Sequence, residues 1–226
     1  MNSLSNLAIR IGICFGLLSL SAYYFKFAAA DFYYEQANHQ FKSLDIENVR
    51  EASSLTQIYD YINESLAWRP NDSEALDLKA NILYAHWWIS PDGQYYQDSS
   101  LLQHANKFHL ASLEVREVWS FGFARLALIH SQKALLDPQF ESWFSRAYEV
   151  GRYETSIARS LMQVGLMNWN QLNEDQQNMT IEFIRLSIEQ KANSPRFMKG
   201  VLQSYGKLEF VCSQLEYTER KDNVCY

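Results

Sequence analysis

The chain has 226 residues, a formal net charge of −6, 47% hydrophobic residues, 8 glycines and 4 prolines. That length suffices for one domain with a substantial core. The acidity argues against nucleic acid or anionic lipid as the main partner, and the scarcity of glycine and proline argues against long linkers or disorder.

The first element is apolar. Ile11 to Phe25 contains no charge, Arg10 sits just before it and Lys26 just after. A spanning helix needs about 20 apolar residues to cross about 30 Å of hydrocarbon. The run reaches that length, from Leu7 to Ala30, when Arg10 and Lys26 mark the two membrane boundaries and snorkel their charges outward. Tyr23, Tyr24, Phe25 and Phe27 then form an aromatic belt at one end. The same residues also fit a cleaved signal peptide, with Ala28-x-Ala30 as the cleavage motif before Asp31. Lys26 and the bulky aromatics beside the motif disfavour cleavage. Residues 1–30 are therefore read as a membrane anchor or signal segment, and 31–226 as a helical-repeat domain. The leader holds two basic and no acidic residues, so the body carries 18 basic against 26 acidic, a net of −8. Arg10 and the terminal amine favour the N-terminus inside, while Lys26 opposes it. The expectation is a single span with its N-terminus inside and the body outside the cytoplasm.

After the leader the spacing of apolar residues is helical throughout, and no segment shows sustained period-two alternation. Leu55, Ile58, Tyr59, Ile62 and Leu66 predict a helix over Ser54 to Trp68, stopped by Arg69-Pro70. Asp72 or Ser73 caps the next, which runs to Trp88. Ser90-Pro91-Asp92-Gly93 is a turn signal. A third helix begins near Ser99, and a fourth covers Phe121 to Leu136. Asp137-Pro138 opens a fifth, with proline at its first position, and Gly151 ends it. Tyr153 to Trp169 makes a sixth. Asn173 caps a seventh that runs to Lys191, and Ser194-Pro195 opens a last one ending near Phe210. The expected fold class is all-α.

A degenerate repeat runs through these helices. The stretch Ser65-Leu66-Ala67-Trp68-Arg69-Pro70-Asn71-Asp72-Ser73-Glu74-Ala75 resembles the junction between two tetratricopeptide repeats. It recurs weakly at Leu113-Glu114-Val115-Arg116 and at Ala147-Tyr148-Glu149-Val150. The step from 113 to 147 is 34 residues, the period of that family; the step from 66 to 113 is 47, and the 90–100 loop absorbs most of the excess. Helix pairs of this kind cannot bury their apolar faces alone and stack into a superhelix with a concave face. An irregular helical bundle with chance self-similarity is the alternative.

Chemistry-bearing residues do not converge in the sequence. His104 and His109 are five apart, which puts them on different helix faces rather than at the i, i+4 spacing of a helical zinc pair. No serine has a Gly-x-Ser-x-Gly context. Glu141, Glu149 and Glu154 occupy exposed-looking helix positions; a carboxylate pair of the kind used by glycosidases is the enzymatic alternative. Neither a metal nor a cofactor is implied. Cys14 lies in the leader. In an oxidising compartment Cys212 and Cys225 would form a disulfide around a short C-terminal loop; in a reducing one they are two separate thiols. His86, Trp87 and Trp88, with Tyr95 and Tyr96, flank the 90–100 loop. Aromatic rings there can stack on sugar rings or on partner side chains; the alternative is core packing for Trp87 or Trp88 and a solvated loop for the tyrosines.

The layout as a whole is similar to the VpsP-type proteins of bacterial exopolysaccharide biosynthesis. The residues that carry this are Ala30-Asp31-Phe32-Tyr33-Tyr34-Glu35-Gln36-Ala37 after the membrane segment, Arg69-Pro70-Asn71-Asp72, Gly165-Leu166-Met167-Asn168-Trp169-Asn170-Gln171-Leu172, and Val211-Cys212 with a second cysteine following. The resemblance implies a non-enzymatic accessory of polysaccharide synthesis or export at the bacterial envelope, partnered by other proteins of that machinery. With the orientation above, it puts a single span in the inner membrane and the body in the periplasm, or a periplasmic protein where the leader is cleaved. It carries no catalytic residue onto this chain. A generic envelope scaffold unrelated to polysaccharide is the further alternative.

Overall fold

The structure, a computed structural model, describes residues 2–44, 55–89, 100–132, 136–189, 194–215 and 224–225. Among these the chain is all-α. It forms α1 (Asn2–Ser43), α2 (Thr56–Trp68), α3 (Ser73–Ile89), α4 (Ser100–Val115), α5 (Ser120–Ser131), α6 (Pro138–Gly151), α7 (Thr155–Met167), α8 (Glu174–Glu189), α9 (Pro195–Ser204) and α10 (Leu208–Gln214), with a 3-10 turn at Trp169–Gln171. The chain divides into two compact units, Met1–Tyr96 and Gln97–Tyr226.

Helix starts follow local side-chain chemistry. An N-terminal turn leaves backbone N–H groups without intrahelical acceptors, and a short polar side chain just ahead can take them. Asp72 Oδ1 accepts from Glu74 N (3.0 Å) and Ala75 N (3.1 Å) at α3. Asp137 Oδ1 accepts from Phe140 N (2.8 Å) at α6, and Ser194 Oγ from Phe197 N (3.2 Å) at α9, each followed by proline. Asn173 and Gln176 form a reciprocal box at α8, with Gln176 N donating to Asn173 Oδ1 (2.9 Å) and Asn173 N to Gln176 Oε1 (3.0 Å).

Helix ends depart from the sequence reading in three places. The helix expected to reach Leu136 stops at Ser131, where Ser131 Oγ and Gln132 Nε2 donate to the Leu128 carbonyl and compete with the backbone ladder. The helix expected to run from Tyr153 to Trp169 occupies only Thr155–Met167, closed by Asn168 Nδ2 donating to the Val164 carbonyl (2.9 Å). The last expected helix is two helices. Gly206 adopts φ +63° between them, Gly206 N donates to Gln203 O (2.9 Å), and Lys207 N donates to Leu202 O (2.9 Å). That is a Schellman stop, whose left-handed residue is best filled by glycine.

In the first unit, α1 extends well past the leader. Its residues Phe27, Ala30, Tyr34, Ala37 and Phe41 recur at alternating steps of three and four, the spacing of a helix–helix seam. Ala30 and Ala37 are buried, and Ala37, Tyr34 and Phe41 pack with Ile58 and Ile62 of α2 and with Ala75, Leu78 and Ile82 of α3. Phe25 meets Trp68, Ala30 meets Ser65, and Tyr33 meets Tyr61. As numbers fall along α1 they rise along α2, so the two helices run antiparallel.

In the second unit α4 to α10 enclose one core. Its centre is aromatic: Phe140 stacks on Phe144 (5.4 Å), and Phe183 meets Phe144 (5.9 Å) and Tyr148 (5.4 Å) edge to face. Ile157, Ala158, Leu161 and Met162 from α7 and Ile184 from α8 fill around them. Gly165 of α7 lies so close to α8 that a Cβ there would stand against the Thr180 side chain, 2.9 Å from its Cβ.

The three stretches read from the sequence as repeat-like junctions each include the C-terminal end of a helix, α2, α4 and α6. An arginine follows in every case and its amide closes the last turn: Arg69 N to Ser65 O (3.0 Å), Arg116 N to Ser112 O (3.0 Å) and Arg152 N to Tyr148 O (3.2 Å). Each guanidinium also lies over an aromatic ring, respectively Phe27, Trp119, and Tyr148 with Tyr153.

Candidate functional site

From Ile11 to Phe25 the residues of α1 are exposed without interruption. Ile11, Ile13, Phe15, Leu17, Leu18, Leu20, Tyr23, Tyr24 and Phe25 are each at least half exposed. Among the described residues neither hydrophobic core includes them, so burial in a protein core does not account for them. The helix is long and apolar enough to cross a membrane. Arg10 and Lys26 are both exposed, and the 16 residues from one to the other rise about 24 Å along a helix. Their stems supply the remainder of a hydrocarbon layer about 30 Å thick.

Cover begins where the charge-free run ends, and there α1 is fastened to α2 and α3 by one cluster. Ser65 Oγ donates to the Ala30 carbonyl (2.9 Å), with both residues buried. Arg69 is the C-cap residue of α2. Its Nη1 donates to Asp31 Oδ1 of α1 (2.6 Å), and its Nη2 pairs with Asp72 Oδ2 (2.6 Å), whose other oxygen caps α3. The guanidinium sits over the Phe27 ring at 5.1 Å. One planar cation thus joins three helices, a role suited to arginine because its fork can serve two carboxylates while its face stacks. Trp68 packs edge to face on Phe25, with ring centroids 5.9 Å apart. The cleavage motif Ala28-x-Ala30 lies inside this continuous helix, and Ala30 belongs to the packed seam. By sequence Arg69 marks a helix stop and a repeat-like junction. Its partner Asp31 is 38 positions away, and no local spacing announces such a pair.

The aromatic candidates separate. Trp87 is 3% exposed and packs with Tyr84 (5.5 Å), whereas Trp88 is 44% exposed beside it. His86 is half-buried. Trp87 is therefore a packing residue, and the outward-facing part of the motif is Trp88 with the edge of His86. Tyr95 and Tyr96, and the turn at 90–93, lie outside the described residues. Burial also acts on Lys79 of α3: it lowers the ammonium pKa from the ordinary lysine value, while the amine lies 5.3 Å from the Tyr59 ring centre.

The second unit holds the remaining candidates. Cys212 and Cys225 form a disulfide, with Cα atoms 5.8 Å apart, and Val224 beside it is buried in the core. Cys14 is exposed on α1. His104 faces outward and His109 inward on α4, the opposite faces that their five-residue spacing implies. Glu141, Glu149 and Glu154 are all exposed, and each is engaged: with Asn173 Nδ2 (3.4 Å), Arg146 Nη1 (2.8 Å) and Ser120 Oγ (3.2 Å) respectively. Among the described residues no group of three or more His, Cys, Asp or Glu side chains converges as a metal site would. His130 is buried between Asp137 Oδ2 and Asn106 Oδ1, each 3.1 Å from a ring nitrogen, and holds the end of α5 to the start of α6.

No family model matches the chain, and no curated protein matches it.

Proposed function

We propose that this chain is a membrane-anchored, non-enzymatic adaptor of the bacterial envelope that serves exopolysaccharide synthesis or export, the pathway of a biofilm matrix, through contacts with other proteins of that machinery. The observation that carries the anchoring is the unbroken passage of α1 from an exposed apolar stretch into a packed helical unit, fastened by Arg69 and Ser65. An anchor joined rigidly to its domain confines the search for partners to the membrane plane and raises effective concentration there. The polysaccharide assignment rests on the resemblance of the sequence to the VpsP-type proteins. The Cys212–Cys225 bridge suits an oxidising compartment and so supports a periplasmic body on a single inner-membrane span. Trp88 and His86 are the surface proposed to meet a protein partner or the polymer.

The test is surface and matrix polysaccharide in a strain lacking the gene, complemented with the intact chain. Loss of polymer, restored by the intact chain, is the expected result. Unchanged polymer under conditions where the strain normally makes it would overturn the pathway assignment and leave the anchor untouched.

A further inference from the structure

Resting on the membrane-anchored reading above, we infer that the corner between α2 and α3, led by Trp68, is seated in the interfacial layer of the lipid bilayer, so that the first unit stands on the membrane at a fixed height instead of hanging from a tether.

Residues Tyr23, Tyr24, Phe25 and Phe27 occupy four helical steps, a rise of about 6 Å. The polar layer on each side of the hydrocarbon is also roughly 5–7 Å thick. These rings therefore mark the level of one interface on α1, with Lys26 among them as a boundary charge. The antiparallel packing brings the last turn of α2 down to that level. Trp68 touches Phe25 itself, and Arg69 lies over Phe27. A side chain in contact with a belt residue shares its depth to within a ring's width. Tryptophan is among the side chains that best suit this layer, since its ring is apolar and its N–H can meet headgroup oxygens.

Charge says which lipid chemistry to expect. Around the corner stand Lys26, Glu64, Arg69, Asp31 and Asp72, and both carboxylates next to Arg69 are paired with it. These five groups carry a net charge of −1, so attraction to anionic headgroups does not supply the contact. The contact is aromatic and dipolar, and it holds on a zwitterionic bilayer. It also explains why an ionic cluster is built at this point. A guanidinium fixed between two carboxylates beside the headgroups keeps the emerging helix and the domain in one orientation. Above Lys26, α1 continues to Ser43, a rise of about 25 Å, as a rigid post with α2 and α3 against it.

The test uses the full chain, disulfide intact, in phosphatidylcholine nanodiscs, with an environment-sensitive fluorophore at one cysteine at a time. The native Cys14 reports the span. In a Cys14→Ser background, Ala67→Cys reports the corner and Ser43→Cys the far end of the post; both positions are exposed, so labels there leave the packing alone. Lipids with a nitroxide at the headgroup or deep in the acyl chain act as quenchers. The expected result is deep-lipid quenching of Cys14, headgroup quenching of Ala67→Cys several-fold above that of Ser43→Cys, and a loss of that excess when Trp68→Ala is added. If Cys14 is quenched while Ala67→Cys matches Ser43→Cys, the seated corner is overturned and the anchor stands. If Cys14 is not quenched by deep lipid, the spanning reading itself fails and takes this inference with it.

Discussion

Arginine 69 offers the sharpest test of how the membrane helix is joined to its domain. Replacing it by alanine removes three interactions. The pair with Asp31 is on the surface, where the carboxylate is 63% exposed, and such pairs contribute about 0.3–0.5 kcal/mol after screening. The pair with Asp72 is more covered, at 14% exposure, and losing a charged hydrogen-bond partner there costs about 1 kcal/mol. The stacking on Phe27 contributes about 0.5 kcal/mol at a partly exposed site. The expected total is about 2 kcal/mol, and by the tenfold-per-1.4 rule that means roughly 30-fold faster amide exchange in α2 where exchange proceeds by local opening. Hydrogen exchange on the full chain in nanodiscs reads this directly and avoids assigning one unfolding energy to a two-unit protein. Asp31→Asn alone should accelerate exchange by about twofold, the equivalent of a surface pair, and should add nothing once Arg69→Ala is present. Acceleration below about threefold for Arg69→Ala, or full additivity of the two substitutions, would refute the view that one guanidinium fastens the three helices.

Trp87→Ala should destabilise by about 3–5 kcal/mol, the usual cost of deleting a buried large aromatic. Trp88→Ala should leave the melting temperature nearly unchanged and, in a crosslinking experiment in cells, should weaken capture of the partner; equal thermal effects would place Trp88 in the core. Gly165→Ala gains up to about 1 kcal/mol of helix propensity but drives a Cβ into Thr180, an overpacking cost of about 1–3 kcal/mol. Thermal unfolding should show net loss, and Thr180→Ala added to it should restore stability. Cys225→Ser should remove about 3 kcal/mol of loop-closure stabilisation and free Val224 from the core, seen as faster exchange and proteolysis in α10 with α1 to α3 unaffected. In extracts prepared without reductant, the native pair should resist alkylation; full reactivity would contradict a periplasmic body.

Much of the fold was legible because helix caps are local. Asp72, Asp137, Asn173 and Ser194 each bond to amides two or three residues ahead, so residue type and spacing were enough to place four helix starts. The charge-free run from Ile11 to Phe25 likewise declared a segment that water does not suit, and Cys212 with Cys225 announced a possible bridge. Helix ends were read less well: Ser131, Gln132 and Asn168 end their helices by side-chain bonds to nearby carbonyls, a competition whose outcome depends on packing around them.

The rest belonged to the tertiary structure. Only the packed seam decided that Ala30, half of a cleavage motif by sequence, is a core residue, and that α1 continues to Ser43 as part of the domain. Only it joined Arg69 to Asp31 across 38 positions and sent Trp87 inward and Trp88 outward. The physical reason is common to all four. A sequence fixes which side chains share a helix face. Which face is covered, and by what, is decided by elements far apart in the chain, where burial and charge pairing act through space and leave no local spacing to read.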